Sequence, residues 1–282
     1  MALFNSRKSF LGVDLGTSTS KIVELTEHGN DIQLVTYAEA NASNVLVSPP
    51  AGDQDAIDKT ISLLNQMIEK SEATAKNVVA ALPGGSVFST VLMLPNIPES
   101  EMEKAVQFAA RDVVPADINE MVIGWSRVGS QAHMQTDRAA ISIPVAAAQT
   151  KVNMDQKVPV FVTAAPKDIV NRYIAVFQRL GKTLLALEVE TFPLVRSLLP
   201  DPPTSTLLVD IGARATTFHI IDKGIPRVSQ TIDVGGYTGD EIEKAKIEFG
   251  ILPEQDPVIR ASLEETLAHQ AQKANELLGV YE

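Results

Sequence analysis

The stretch FLGVDLGTSTSKIVEL, residues 10–25, decides the fold of this chain. Apolar residues ahead of Asp14 predict a buried strand, and the IVEL segment predicts a second strand, so that Gly16 begins a hairpin turn between them. The turn lacks the GK[ST] ending of a P-loop and the GxGxxG spacing of a dinucleotide-binding fold. It is rich in hydroxyl groups instead, because Thr-Ser-Thr follows the glycine.

A second copy of this pattern begins the other half of the chain. The stretch LLVDIGARATTFHII, residues 207–221, matches the first when the numbering is shifted by 196, so that Asp14 meets Asp210 and Gly16 meets Gly212. Each turn then enters another predicted strand. A single Asp-x-Gly turn is common in hairpins, but its repetition at the head of each half favours a shared function.

Two such hairpins can hold a nucleoside triphosphate between them. Glycine permits a tight turn with positive φ and a close approach of backbone to ligand. Successive N–H groups and hydroxyls can then bind phosphate oxygens. The aspartates repel phosphate, but they can hold the water ligands of a Mg²⁺ ion that bridges phosphates. The repeat therefore predicts a nucleotide clamp, with Asp14 and Asp210 as water-mediated magnesium residues.

Composition excludes several other classes of function. The 282 residues carry a net charge of −11, whereas a general nucleic-acid binder needs a basic surface. There is no cysteine for disulfides or thiolate metal sites, and the four histidines lack metal-ligand spacing. No stretch approaches the ~20 apolar residues of a membrane helix, and the N-terminus lacks a secretion-signal pattern. We therefore expect a cytoplasmic protein that contacts a membrane only through a partner.

The hydrophobic pattern predicts an α/β chain with an internal module. For the first half outside that module it predicts strands at 10–15, 20–26, 31–38, 77–83 and 183–190, and helices at 55–70, 167–180 and 192–199. The module, residues 85–165, has the order strand, helix, strand, strand. Its predicted strands are 86–95, 121–128 and 158–165.

Inside the module, the helix is predicted to open at Ser100 with a capping box to Glu103 and to end before Pro115. An apolar segment at residues 139–148 is left as either an edge strand or a loop, because Pro144 lies within it. Residues 200–205 have the composition of a linker. Two helices, at 240–249 and 258–279, are predicted after the second hairpin.

The paired turns resemble the phosphate-1 and phosphate-2 motifs of the actin-like ATPase superfamily. Within it, the chain resembles the PilM family of type IV pilus assembly proteins, with the FtsA division proteins as relatives. The resemblance extends over residues 1 to about 250. It is carried, in order, by LFNSRKSFLGVDLGTSTSKIVEL, ESEMEKAVQFAARDVVP, YIAVFQRLGKTLLALEVETFPLVRSLL and DEIEKAKIEFG.

This resemblance implies an actin-like (ribonuclease H-like) α/β fold with two lobes. Residues 1–84 and 166–200 would form the first lobe, 85–165 an inserted partner-docking subdomain, and 201–282 a short second lobe. The second half has no third glycine turn for an adenosine base, which leaves two alternatives: a truncated product or a naturally reduced lobe. Whether ATP is bound or hydrolysed stays open at this point, and at most a weak ATPase is expected.

The resemblance also implies roles for individual residues around ATP and Mg²⁺. Around the β- and γ-phosphates it places Asp14, Gly16, Thr17, Ser18, Thr19 and Lys21, and in the facing turn Asp210, Gly212, Ala213 and Thr216. Glu190 would orient a water ligand of the metal or the attacking water, as the catalytic residue, with an ordinary strand-end carboxylate as the alternative. Glu243 and Lys246 would contact ribose and base, or else pair with each other on a helix surface. Arg214 and Ala215 depart from the family pattern, so the second turn offers one hydroxyl fewer.

For partners, the resemblance implies the N-terminal cytoplasmic tail of a PilN-like inner-membrane protein, docked on the inserted subdomain and the first lobe. Pilus motor ATPases and self-association are further interactions that it leaves open, with twitching motility as the process served. Three alternatives belong to other classes of protein. They are an FtsA-like division filament, a type II secretion scaffold and a small-molecule kinase.

Overall fold

The structure is a computed structural model that describes residues 8–16, 18–29, 31–41, 46–47, 49, 52–127, 153–199, 205–212, 215–222 and 224–232. The chain divides into two compact units, Met1–Pro200 and Asp201–Glu282. The predicted segment 139–148 and the helices at 240–249 and 258–279 lie outside the described residues. The three-part domain division stays a prediction.

Eleven strands and four α-helices occupy the described residues. The strands are β1 (Ser9–Leu15), β2 (Ser20–His28), β3 (Asp31–Ala40), β4 (Asn77–Leu82), β5 (Phe88–Asn96), β6 (Met121–Arg127), β7 (Asn153–Pro166), β8 (Thr183–Val189), β9 (Ser205–Ile211), β10 (Thr216–Asp222) and β11 (Ile225–Ile232). The helices are α1 (Asp53–Ser71), α2 (Glu99–Val113), α3 (Lys167–Arg179) and α4 (Thr191–Leu198). None of the described helices is long and apolar enough to cross a membrane.

The first unit is built on a five-stranded sheet with the order β3-β2-β1-β4-β8. The strands β1, β2 and β3 form an antiparallel meander, whereas β4 runs parallel to both β1 and β8. The side chains of β2 alternate between buried and more exposed positions, so that one face of the sheet is buried and the other is not. Helices α1 and α3 pack against the inner face, where Leu64, Tyr173 and Phe177 are fully buried. The helix α3 is followed, as predicted, by Gly181 with a φ of 66°.

The inserted segment forms a second, antiparallel sheet with the order β5-β7-β6. On one face, Val160 and Val162 of β7 pack with Met102 and Val106 of α2. The opposite face packs against β8 and α4, where the rings of Phe161 and Phe192 meet edge to face with their centres 5.0 Å apart. Residues on both faces of this sheet therefore take part in packing.

The predicted start of α2 was wrong by one residue, and the predicted capping box does not form. The helix begins at Glu99, with Pro98 at the N-cap position and no side-chain hydrogen bond to the first turn. Ser100 therefore lies within the helix and cannot act as the cap. Two acidic residues, Glu99 and Glu101, occupy the first turn, where the helix dipole favours negative charge.

The second unit contains a three-stranded antiparallel sheet with the order β11-β10-β9. The central strand β10 is buried along most of its length, whereas β9 carries exposed or half-buried side chains. Buried Phe218 and Ile220 form its small apolar cluster with Leu207 and Val228. The predicted hairpin at 207–221 is confirmed as β9 and β10.

Candidate functional site

The turn between β1 and β2 is closed by its own backbone. In the antiparallel register Asp14 lies opposite Lys21 and Leu15 opposite Ser20. The Gly16 N–H donates a hydrogen bond to the Thr19 carbonyl oxygen at 2.9 Å. Asp14 and Lys21 are both exposed, and they lie on the same face because opposed residues of a strand pair do so.

The turn between β9 and β10 repeats the same strand register and the same closing hydrogen bond. Asp210 lies opposite Thr217 and Ile211 opposite Thr216, which is the first register shifted by 196. The Gly212 N–H donates to the Ala215 carbonyl oxygen, again at 2.9 Å. The repeat seen in the sequence is therefore confirmed as a repeat of backbone structure.

The reason for glycine in these turns differs from the predicted one. Positive φ angles occur at four described glycines, and neither Gly16 nor Gly212 is among them. Instead, a Cβ atom on Gly16 would lie 2.6 Å from the Thr19 carbonyl oxygen, and one on Gly212 would lie 2.9 Å from that of Ala215. Glycine is required because the hairpin closes on itself too tightly for a side chain.

The first turn lies at the end of the sheet where the parallel strands β1, β4 and β8 have their carboxyl ends. Val13 is level with Ala80 of β4, and Leu82 of β4 is level with Val189 of β8. The residues that follow β1, β4 and β8 therefore lie at the same end of the sheet, and they include Gly16, Gly84 and Glu190. Ligands of open α/β sheets bind outside the carboxyl ends of the strands, so this end of the sheet is the candidate functional site.

Glu190 is held in place at this end of the sheet by residues at the end of β4 and just after it. Its Oε1 accepts a hydrogen bond from the Gly84 N–H at 2.7 Å, and its own N–H donates to the Leu82 carbonyl oxygen at 3.1 Å. A Cβ on Gly84 would lie 2.9 Å from that Oε1 atom, so a side chain there would displace the Glu190 carboxylate. The side chain is half-buried at the N-cap position of α4. A carboxylate fixed in this way can accept a hydrogen bond from a water molecule.

The remaining predicted site residues divide into described and undescribed ones. Ser18 and Thr19 are half-buried in the first turn, while Asp210 is half-buried and Thr216 fully buried in the second hairpin. Outside the described residues lie Thr17, Ala213, Glu243 and Lys246. Within the described part of the chain, no three acidic or histidine side chains cluster to hold a metal directly.

Sequence reasoning missed Glu24, a fully buried carboxylate on β2. It accepts hydrogen bonds from the backbone N–H groups of Thr74 at 2.6 Å and Ala75 at 3.0 Å, and from the Ser9 hydroxyl at 2.5 Å. Burial alone raises the pKa of Glu24, but these hydrogen bonds outweigh it and lower the pKa below 4.5. The signal was present in the sequence, because Glu24 occupies an inward position between Ile22 and Thr26.

A second missed residue is Arg172 of α3, which is also buried. Its guanidinium group pairs with Asp53 and Asp168, each at 3.0 Å, and donates to the backbone carbonyls of Leu46 and Val47. It therefore ties the start of α1 and the segment before it to α3. Both missed groups act in the architecture that carries the site.

Comparison with known proteins then identifies the family. The family model described as type IV pilus assembly protein PilM matches residues 12–244. The chain belongs to the PilM family. Among solved structures, this PilM family member is similar to the PilM-PilN type IV pilus biogenesis complex, with 21% identity, 96% of this chain and 76% of that chain covered, and a TM-score of 0.71. The actin-like fold predicted from the sequence is confirmed.

Two more distant similarities are found among solved structures. The ethanolamine utilization protein EutJ from Carboxydothermus hydrogenoformans has 16% identity and a TM-score of 0.49, with 97% of this chain and 72% of that chain covered. The cytoplasmic domain of EpsL, an inner-membrane component of the Vibrio cholerae type II secretion system, has 11% identity and a TM-score of 0.45, with 80% and 71% covered.

Proposed function

We propose that this chain is a scaffold on the cytoplasmic side of the type IV pilus assembly platform, where it binds ATP and docks the N-terminal tail of a PilN-like inner-membrane protein. Through that platform it would serve twitching motility. The observation that carries the nucleotide part is the repeated turn, in which Gly16 and Gly212 make the same 2.9 Å backbone hydrogen bond in the same register. Membership of the PilM family supports the pilus part.

In this proposal the two hairpins contribute different groups to one nucleotide. The first supplies hydroxyl groups and the Lys21 ammonium to the phosphates, since Ser18 and Thr19 follow Gly16 in the turn. The second supplies backbone N–H groups of its turn, while Thr216, which is fully buried, would support that turn from below. Asp14 and Asp210 would hold water ligands of a magnesium ion, which would neutralise phosphate charge when bound.

Hydrolysis, where it occurs, is expected to be slow. Glu190 is the residue proposed to orient the attacking water, and one of its carboxylate oxygens is already used by the Gly84 N–H. The same carboxylate therefore has to hold the chain after β4 and orient the water, which limits its freedom to move during the reaction. We therefore propose a nucleotide-binding scaffold with at most weak ATPase activity.

Calorimetric titration with ATP and Mg²⁺ tests the nucleotide site. We expect Asp14→Asn and Asp210→Asn each to weaken binding by about tenfold, equivalent to about 1.4 kcal/mol, because each removes a charge that helps to hold the metal. Asp31→Asn is the matched control, since Asp31 lies opposite His28 in the β2–β3 register, at the other end of the same sheet. Equal ATP affinity in all three variants and the wild type would refute the proposed site.

For the PilN-like tail, we propose the outer edge of β5 as the docking surface. This strand pairs with β7 alone among the described strands, so it offers an edge for an extended peptide. Val91 and Met93 lie on the face that packs towards Phe192, and Met93 is 54% exposed beyond that contact. An apolar side chain of a bound tail can cover Met93 while its backbone pairs with β5.

Binding of a synthetic PilN-like tail peptide, followed by fluorescence anisotropy, tests this surface. We expect Met93→Lys to weaken binding at least tenfold, because a charge would then lie beneath the apolar side chain of the docked tail. Phe108→Lys is the matched control, since Phe108 is a 72% exposed residue of the same module but lies on α2. Point variants are preferable to deletion of the module, because Phe161 and Ala165 pack into the main body. Loss of binding in the control alone would move the docking site to α2.

A further inference from the structure

Met93 of β5 presents a thioether sulfur at the protein surface. The residue is 54% exposed, whereas Met67 and Met102 are 3% and 0% exposed. Met121, the remaining methionine whose burial the structure describes, is half-buried. The chain contains no cysteine, so no thiol of its own competes for an oxidant. Among the described residues, Met93 is therefore the sulfur that an oxidant in solution reaches most easily.

The side chains beside Met93 are apolar. In the register with β7, Val91 lies opposite Phe161 and Met93 opposite Pro159, so that these four side chains share one face of the sheet. Phe161 continues this face into the apolar cluster that contains Phe192. The strand β5, FSTVLMLPN, carries no charged residue. A polar atom added to Met93 would thus be placed among apolar groups.

The prolines of this sheet indicate which way the backbone of Met93 points. Pro159 has no N–H group, so the Met93–Pro159 pair fits a non-hydrogen-bonded position of the β5–β7 ladder. Pro95, two residues further along β5, falls at the same kind of position. At such positions the N–H and C=O groups point away from the paired strand, here towards the outer edge of β5. We therefore expect a docked strand to pair with Met93 directly and to place one of its own side chains beside the sulfur.

We propose that Met93 is a reversible oxidation site that controls docking at the β5 edge. A hydroperoxide such as hydrogen peroxide supplies the oxygen: the thioether sulfur attacks one peroxide oxygen, the O–O bond breaks, and the other oxygen leaves as water. The sulfur is oxidised by two electrons and the peroxide is reduced by two. Two thiols of a methionine sulfoxide reductase reverse the step, since they become a disulfide while the sulfoxide oxygen leaves as water.

The effect on docking rests on the proposed function of the β5 edge. In the docked state the thioether lies beneath an apolar side chain of the tail, whereas a sulfoxide carries a strongly polar S=O group. Burying that oxygen without a hydrogen-bond donor costs free energy. Oxidation should therefore weaken tail binding by about fivefold to tenfold. The free protein should keep its fold, because the side chain of Met93 is already in contact with water there.

Peptide mapping after exposure to hydrogen peroxide tests the site. Trypsin releases Asn77–Lys104 as one peptide, which contains both Met93 and Met102. Met102 is the internal control, since it is fully buried between α2 and the sheet. In the folded chain Met93 should be oxidised about tenfold faster than Met102 or more, and unfolding in urea should remove the difference. Equal oxidation rates of the two methionines in the folded chain would overturn the assignment.

Fluorescence anisotropy with the synthetic tail peptide tests the effect on docking. The protein is oxidised first and the peroxide is removed with catalase, so that the peptide itself stays unmodified. The oxidised protein should bind about fivefold to tenfold more weakly, and reductases for both sulfoxide epimers should restore the starting affinity. Met93→Leu, whatever its own affinity, should bind equally well before and after peroxide treatment.

The possible results separate the oxidation switch from the docking surface on which it rests. Full affinity of the oxidised protein, together with weak binding by Met93→Lys, would overturn the switch and leave the β5 surface in place. Equal affinity of the oxidised protein, Met93→Lys and the wild type would refute the β5 surface and the switch together. A loss of affinity that peroxide also causes in Met93→Leu would place the sensitive group elsewhere and overturn the role of Met93.

Discussion

The β1–β2 and β9–β10 hairpins share one backbone turn in two different environments. In both, a glycine N–H closes the turn at 2.9 Å on the carbonyl three residues later. Beyond the turn the matching positions diverge, because Glu24 of the first hairpin corresponds to Ile220 of the second, and Val23 corresponds to His219. The first hairpin continues into a five-stranded sheet with a parallel neighbour, while the second lies in an antiparallel sheet of three strands.

This comparison separates what the turn needs from what each unit needs. The glycine is common to both hairpins because the same carbonyl oxygen approaches it in both. The buried carboxylate and the buried imidazole belong to one hairpin each, so their roles are in packing and hydrogen bonding within that unit. Substitutions of the shared glycines, of Glu24 and of His219 test this separation, and they follow in order of expected effect.

The largest effect is expected at Gly16. Gly16→Ala should lower the free energy of unfolding of the first unit by about 3 kcal/mol, because a Cβ placed 2.6 Å from a backbone oxygen forces the turn open. Gly212→Ala, at 2.9 Å, should cost the second unit about 1–2 kcal/mol. Urea unfolding followed by the fluorescence of Trp125, the single tryptophan, measures the change in the first unit.

The control for that measurement is Gly12→Ala on the same strand. A Cβ there would meet its nearest neighbour, the Val23 carbonyl oxygen, at an ordinary 3.7 Å. If Gly12→Ala and Gly16→Ala destabilised the unit equally, the turn would have no special need of glycine, and the shared geometry would lose its explanation.

An intermediate effect is expected at Glu24. Glu24→Gln should destabilise the first unit by about 2–3 kcal/mol at neutral pH, because the amide cannot accept all the hydrogen bonds that Ser9, Thr74 and Ala75 donate. The lowered pKa of Glu24 also gives a sign to the pH dependence: its contribution is present above pH ~4.5 and is lost as the pH falls through the folded-state pKa.

Glu27→Gln is the matched control for this variant, since Glu27 lies on the same strand but is exposed. Its unfolding curve should superimpose on that of the wild type. Should Glu24→Gln also leave the curve and its acid limb unchanged, the carboxylate would contribute nothing to the attachment of β2 to the segment before β4.

The smallest effect is expected at His219, whose burial lowers its pKa from 6.5 to about 4. The unfolded chain binds a proton at this histidine below pH ~6.5, while the folded chain does not until about pH 4. The second unit should therefore lose about 1–2 kcal/mol of stability between pH ~7.5 and ~5. The Nδ1 atom lies 2.8 Å from the Ser229 hydroxyl, which helps to fix the ring in its buried position.

Replacing His219 by valine, the residue at the matching position of the first hairpin, should remove this pH dependence. Proton NMR of the imidazole gives the pKa directly, and thermal unfolding at several pH values gives the stability. A normal His219 titration near pH 6.5 would show that the ring is hydrated and would contradict its assigned burial.

The sequence by itself determined the paired hairpins, most element positions to within a few residues, and the family. These features follow from local periodicity and from the repeated Val-Asp-x-Gly pattern, which depend on neighbouring residues. The start of α2 was misplaced because Ser100 and Glu103 have the spacing of a capping box, whereas the helix begins one residue earlier, directly after Pro98.

Only the tertiary structure decided how distant residues complete the site. Glu190 meets a backbone N–H that is 106 residues away in the sequence, and Glu24 meets two that are 50 and 51 residues away. The exposure of Met93 likewise depends on which strands and helices cover each face of its sheet. Such contacts arise when separate elements pack together, and a pattern within one element carries no record of its neighbours.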